Sequence, residues 1–169
     1  MLYEITIPQF VRVLKTFNVL LDKAAEHAEK RKYDIRNVLN ARLAPDQFNF
    51  IRQVQAACET AQTAAARLTG QEPPSNQDNE QTIDELKLRI KNTVDYLISI
   101  KPEQFIGAEK RMVPIPWLPG KGMPAKEFTL FMAIPNLYFH VTTAYSIFRH
   151  NGIELRKGDF LGPLEFKTL

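Results

Sequence analysis

Asn136 and His140 stand four residues apart in the stretch PNLYFHVTTAYSIFRHNG, residues 135–152. On a helix that spacing puts two side chains on one face. Two histidines so placed are a recurring zinc ligand set, but an amide oxygen is a poor ligand for zinc or nickel beside an imidazole. The pair therefore reads either as a weak metal candidate centred on His140 or as a polar pair in a helical core. If buried, an Asn or Gln carries both a donor and an acceptor and demands partners for them.

His140 titrates near neutral pH, which makes it the candidate proton carrier of the segment. Tyr138 and Tyr145 are the nearby candidate acids. His27 lies in the solvated run EHAEKRK, and His150 in a last helical turn where a cation meets the helix dipole favourably; neither needs a chemical role. The single cysteine, Cys58, excludes an internal disulfide and every multi-cysteine metal motif. Its neighbours are alanines and apolar residues, the setting of a small buried hydrophobe rather than a nucleophile. Ser146, Thr142 and Thr143 sit mid-helix and not on a strained elbow, which disfavours a serine hydrolase. The Glu-x-x-His pairs of a di-iron bundle do not occur, nor does a P-loop or dinucleotide fingerprint.

The elements that must position these residues follow from periodicity. A chain of 169 residues, 44% hydrophobic and 24% charged, is expected to form one domain over residues 1–169 with a substantial core. Thr6 is the expected N-cap of a first helix, with Pro8 in its opening turn. Phe10, Val13, Phe17, Leu20, Ala24 and Ala28 form its apolar face, and Asp34 is placed to cap a short turn ending at Leu39. A second helix is expected from Asp46 to Leu68, ended by Gly70, with a stripe of Phe48, Ile51, Gln55, Cys58, Ala61, Ala65 and Leu68. GQEPPSNQDNEQ then reads as a polar connector. Thr82 and Glu85 make a capping box for a third helix that ends before Pro102. Residues 107–125 hold too many prolines and glycines for a helix and predict an irregular or hairpin-like crossover carrying Trp117. A fourth helix is expected from Lys126 to His150, bent or split by Pro135 and stopped at Gly152. The fold class is all-α, a four-helix bundle with that crossover before the last helix.

No apolar run approaches the roughly 20 residues needed to span a bilayer, and MLYEITIPQFVRVLK lacks the basic region of a secretory signal. A cytoplasmic protein with no membrane partner is expected. The net charge is +3, and its basic residues alternate with acids as on a solvated helix surface, so no nucleic-acid partner is expected.

LNARLAPDQFNFIRQVQ (residues 39–55), PNLYFHVTTAYSIFRHNGIEL (residues 135–155) and the following GDFLG resemble an uncharacterised bacterial branch of the DinB/YfiT-like superfamily. The likeness covers nearly the whole chain and implies a four-helix bundle. Metal-binding members of that superfamily use three histidines, one from the second helix and an H-x-x-x-H pair from the last. Aligned through Arg149 and Gly152, the pair falls on Asn136 and His140, and the second helix holds no histidine. Gln53 or Gln55 is the nearest polar counterpart, and spacing does not choose between them. The resemblance thus implies a degenerate metal site and no metal cofactor, in a small-molecule-binding protein or homodimer with a pocket around Asn136, His140, Gln53 and Gln55. The alternative is a zinc- or nickel-dependent enzyme, of thiol-transferase or hydrolase type, using His140.

Overall fold

Buried apolar positions recur along each long helix at three- and four-residue steps, and burying those stripes against one another generates the architecture. The computed structural model describes residues 1–168. Helix α1 (Leu2–Arg31) begins four residues before the expected cap. Leu2 is itself part of the core, so the apolar stripe draws the first turn into the helix. Thr6 is a buried second-turn residue whose hydroxyl donates to the Leu2 carbonyl at 2.6 Å. Pro8 lies inside the helix on an exposed face, where the carbonyl left without a donor can meet water. The short α2 (Arg36–Leu39) opens beside Asp34, whose carboxylate accepts the Arg36 backbone N–H at 2.9 Å.

Helix α3 (Phe50–Thr69), by contrast, starts later than expected. Asn49, not Asp46, is the N-cap, its side chain accepting from the Arg52 N–H at 2.9 Å. Phe48 consequently stays outside the helix, half exposed. The helix ends where Gly70 takes a left-handed conformation, φ 74°. Helix α4 (Ile83–Ser99) carries the expected Thr82–Glu85 capping box. The helices close into a ring in which α4 packs on α1 and α3, and α3 on the last long helix. Buried alanines at 57, 61, 64 and 65 let α3 lie close to its neighbours. Phe50 and Phe148 stack across the centre with ring centroids 3.7 Å apart, and Phe17 meets Phe50 edge-on.

Between α4 and the last helix the crossover contains two 3₁₀ turns (Pro102–Phe105 and Ala108–Lys110) and a two-stranded antiparallel hairpin, β1 (Met112–Pro114) with β2 (Gly122–Pro124). Val113 pairs with Met123, and Trp117 stands exposed on the hairpin loop. Pro135 has no N–H to offer the preceding turn. The chain absorbs that defect upstream: α5 (Ala125–Glu127) runs into a π-helical stretch, Phe128–Ala133, and then into α6 (Ile134–His150). A short α7 (Lys157–Leu161) folds back on α1 through Lys23–Asp159 at 2.8 Å. No helix among the described residues is long and apolar enough to cross a membrane.

The connector between α3 and α4 is ordered as a strap along α3. Asp78, in a left-handed conformation, bridges Arg52 (3.0 Å) and the buried Arg89 (2.8 Å). Glu80 also accepts from Arg89, at 3.1 Å, and Asn76 donates to Gln62 at 2.9 Å.

Candidate functional site

His140 projects from α6 into the α3–α6 interface, where Gln53 meets it at 2.8 Å. The Gln53 amide is oriented by its other bond, since Nε2 donates to the Phe48 carbonyl at 3.3 Å. A carbonyl can only accept, so Gln53 presents its oxygen to the imidazole, and Nδ1 must carry the proton. Nε2 then holds the lone pair. It has no hydrogen-bond partner among the described residues, and His140 lines a cavity of about 710 Å³. Burial, and secondly the Arg52 guanidinium, holds the imidazole below its ordinary pKa, so it stays neutral.

The cavity lies between α3, α6 and the strap. One turn from His140, at its rim, Asn136 is exposed and donates to the Thr60 hydroxyl at 2.7 Å. Pro73, Pro74 and Asn76 of the strap form one wall. Phe48, Met132 and Trp117 supply apolar surface. Arg52 enters with its charge answered by Glu59 and Asp78, both at 3.0 Å. Glu59 is held above the usual carboxylate range, first by burial and then by a shared hydrogen bond with the Asp78 carboxyl, against the opposing pull of Arg52. The site therefore offers a neutral imidazole acceptor, an amide, a hydroxyl and a carboxylate paired with Arg52.

The other sequence candidates lie elsewhere. Gln55, two residues on and nearly opposite Gln53 around α3, donates to Glu80 at 2.8 Å, fixing the strap rather than facing His140. Tyr138 turns toward α1, where its hydroxyl accepts from Gln9 at 2.9 Å. Tyr145 packs on Phe160 and donates weakly to the Leu155 carbonyl at 3.4 Å. Neither tyrosine lines the cavity. Cys58 is fully buried and its thiol is pushed up to about 11 by that burial, which keeps it unreactive. His27 bonds the Tyr33 hydroxyl at 2.9 Å. Residues that the sequence reading passed over are Arg52, Glu59, Thr60 and Arg67. With Ala56 and Thr63 they recur at three- and four-residue steps, a polar stripe beside the apolar one.

A four-helix bundle whose second and last long helices face each other across a histidine and its amide partners defines a DinB-like protein. The chain belongs to the family described as Domain of unknown function (DUF1993), which it matches over residues 2–161. It is similar to a solved structure, the crystal structure of a DinB family member protein from Shewanella denitrificans at 1.83 Å resolution. The two share 47% sequence identity and superpose with a TM-score of 0.96, over 100% of this chain and 96% of that one. Comparison with curated proteins gives no match.

The three-histidine metal site of metal-binding superfamily members does not fit the donors present. Gln53 is engaged at both ends of its amide, Asn136 is bonded to Thr60, and His140 offers one free nitrogen. No group of three His, Cys, Asp or Glu able to hold a metal ion occurs among the described residues.

Proposed function

We propose that the protein binds a small molecule in the α3–α6 cavity without a metal, on the remains of a metal site. The observation that carries this reading is the Phe48–Gln53–His140 relay, which leaves a neutral imidazole with a free Nε2 lone pair on a residue that lines a cavity of about 710 Å³. Cavities of this size accommodate small organic ligands, and a few convergent polar groups among apolar ones orient them. A hydrogen-bond donor of the ligand completes the acceptor that the protein leaves without an internal partner.

Native mass spectrometry of protein purified without a histidine tag tests the reading, alongside metal analysis of the same sample. Substoichiometric zinc and nickel, with a small organic molecule retained by wild type and lost by His140→Phe, is the expected outcome. One zinc or nickel per chain, abolished by His140→Ala, would instead establish the metal-dependent enzyme.

A second reading, a homodimer, is supported by an aromatic fringe on the helical run from α5 to α6. Phe131 is 71% and Phe139 54% exposed, eight residues apart on the outer side of the same helical run. Large apolar residues displayed together mark interaction surfaces, and a second copy of this chain would cover them by an isologous contact.

A further inference from the structure

Arg67 is the cavity's uncommitted charge. The other guanidinium groups near the cavity have partners: Arg52 pairs with Glu59 and Asp78, Arg89 pairs through Nη1 with Asp78 and Glu80, and Arg111 donates to the Leu68 carbonyl at 2.7 Å. Arg67 lines the cavity, half-buried, and makes neither an ion pair nor a side-chain hydrogen bond among the described residues. The one carboxylate in the lining, Glu59, already has Arg52 against it. Arg67 thus keeps its guanidinium donors available to a ligand, with Glu72 the nearest opposing charge. A guanidinium in such a place binds carboxylate or phosphate through paired N–H donors.

Its distance from His140 sets the shape of what it would hold. Gln53 marks the level of His140 on α3, and Arg67 follows fourteen residues later, about 21 Å of helical rise. Side chains on a helix lean toward its N-terminus, here toward His140, which shortens the span to about 15 Å. Between the two ends run the Thr60–Asn136 pair and the apolar surface of Met132 and Trp117.

Resting on the proposed cavity function, we infer that the ligand is an elongated organic anion, its acidic group on Arg67 and a hydrogen-bond donor at its far end on His140 Nε2. Burial weakens the hold of Arg67 on its proton, against the smaller opposing pull of the Glu72 carboxylate, as for a guanidinium partly withdrawn from water.

The test uses the full chain and three probes of one length: ω-hydroxydodecanoate, dodecanoate, and the uncharged dodecanediol. Binding is read by calorimetry and by the emission of Trp117, the sole tryptophan. The hydroxy acid should bind tightest. Arg67→Gln should weaken both acids about tenfold or more and leave the diol unchanged, with an unaltered melting temperature showing that the fold is intact. His140→Phe should weaken the hydroxy acid and the diol but not dodecanoate. If the diol binds as well as the hydroxy acid, or Arg67→Gln affects all three probes equally, the anion assignment is overturned while the cavity reading stands. If none of the three binds wild type at millimolar concentration, both fall.

Discussion

Gln53 Oε1 and His140 Nδ1 are 2.8 Å apart across the α3–α6 interface, and the geometry allows one proton arrangement between them. Nitrogen-15 NMR of the imidazole should show the Nδ1–H tautomer at neutral pH and a pKa below the ordinary 6.5. A His pKa lowered by folding means that the unfolded chain binds the proton more readily. Stability from this group is therefore present above the unfolded pKa and is lost as pH falls through and below it. Gln53→Leu should release the tautomer, and Arg52→Gln should raise the pKa. An Nε2–H tautomer in the wild type would defeat the relay.

Glu59 carries the opposite sign. Its folded pKa lies above the unfolded value, so the stability it contributes is present at low pH and fades as pH rises through the folded pKa. Glu59→Gln mimics the protonated form and can still donate to Asp78. At pH 8 it should melt higher than wild type by about 1–2 °C, a small gain because the group is partly exposed and screened. Near pH 4 the two should converge. A variant that melts lower than wild type at pH 8 would show that the Arg52 pair dominates.

Rebuilding the metal site calls for a different partner from the glutamines. Gln53 meets His140 on the Nδ1 side, away from the free nitrogen, and Gln55 is turned to the strap. Ala56, one turn along α3, lines the cavity with Asn136 and His140. Asn136→His should confer weak zinc or nickel binding, and Asn136→His with Ala56→His should bind clearly tighter, because tetrahedral sites need three strong ligands. Titration with a metallochromic competitor decides it. Tight binding by the unmodified protein would overturn the degenerate-site reading.

The aromatic fringe predicts assembly. At micromolar concentration the wild type should sediment as a dimer, and Phe131→Glu with Phe139→Glu as a monomer with unchanged helical content, since both positions are exposed. A wild-type monomer would end this reading.

Local pairs were legible in the sequence, and spatial ones were not. Thr82 and Glu85 are three residues apart and satisfy each other, so the α4 start is written where it occurs. The α1 start is misread from Thr6 because Leu2, eight residues ahead of the first stripe residue Phe10, is recruited by burial. Asp46 and Asn49 are both good caps, and the choice falls to Asn49. Gln53 and Gln55 are chemically identical, so their different roles depend on His140 and Glu80, which lie 87 and 25 residues away. The strap looked like a featureless linker because its anchors, Arg52 and Arg89, belong to two other helices.

The π-helical stretch Phe128–Ala133 holds one residue more than a regular helix needs over the same rise. Deleting one residue there would let the run revert to ordinary helix with its two flanks still in register, whereas adding one would turn everything upstream by about 100° relative to α6. Phe128, the hairpin and Trp117 would swing off the cavity while Asn136 and His140 stayed in place. Chain length between Phe128 and Pro135 thus sets whether the cavity keeps its far wall, independently of which residues line it.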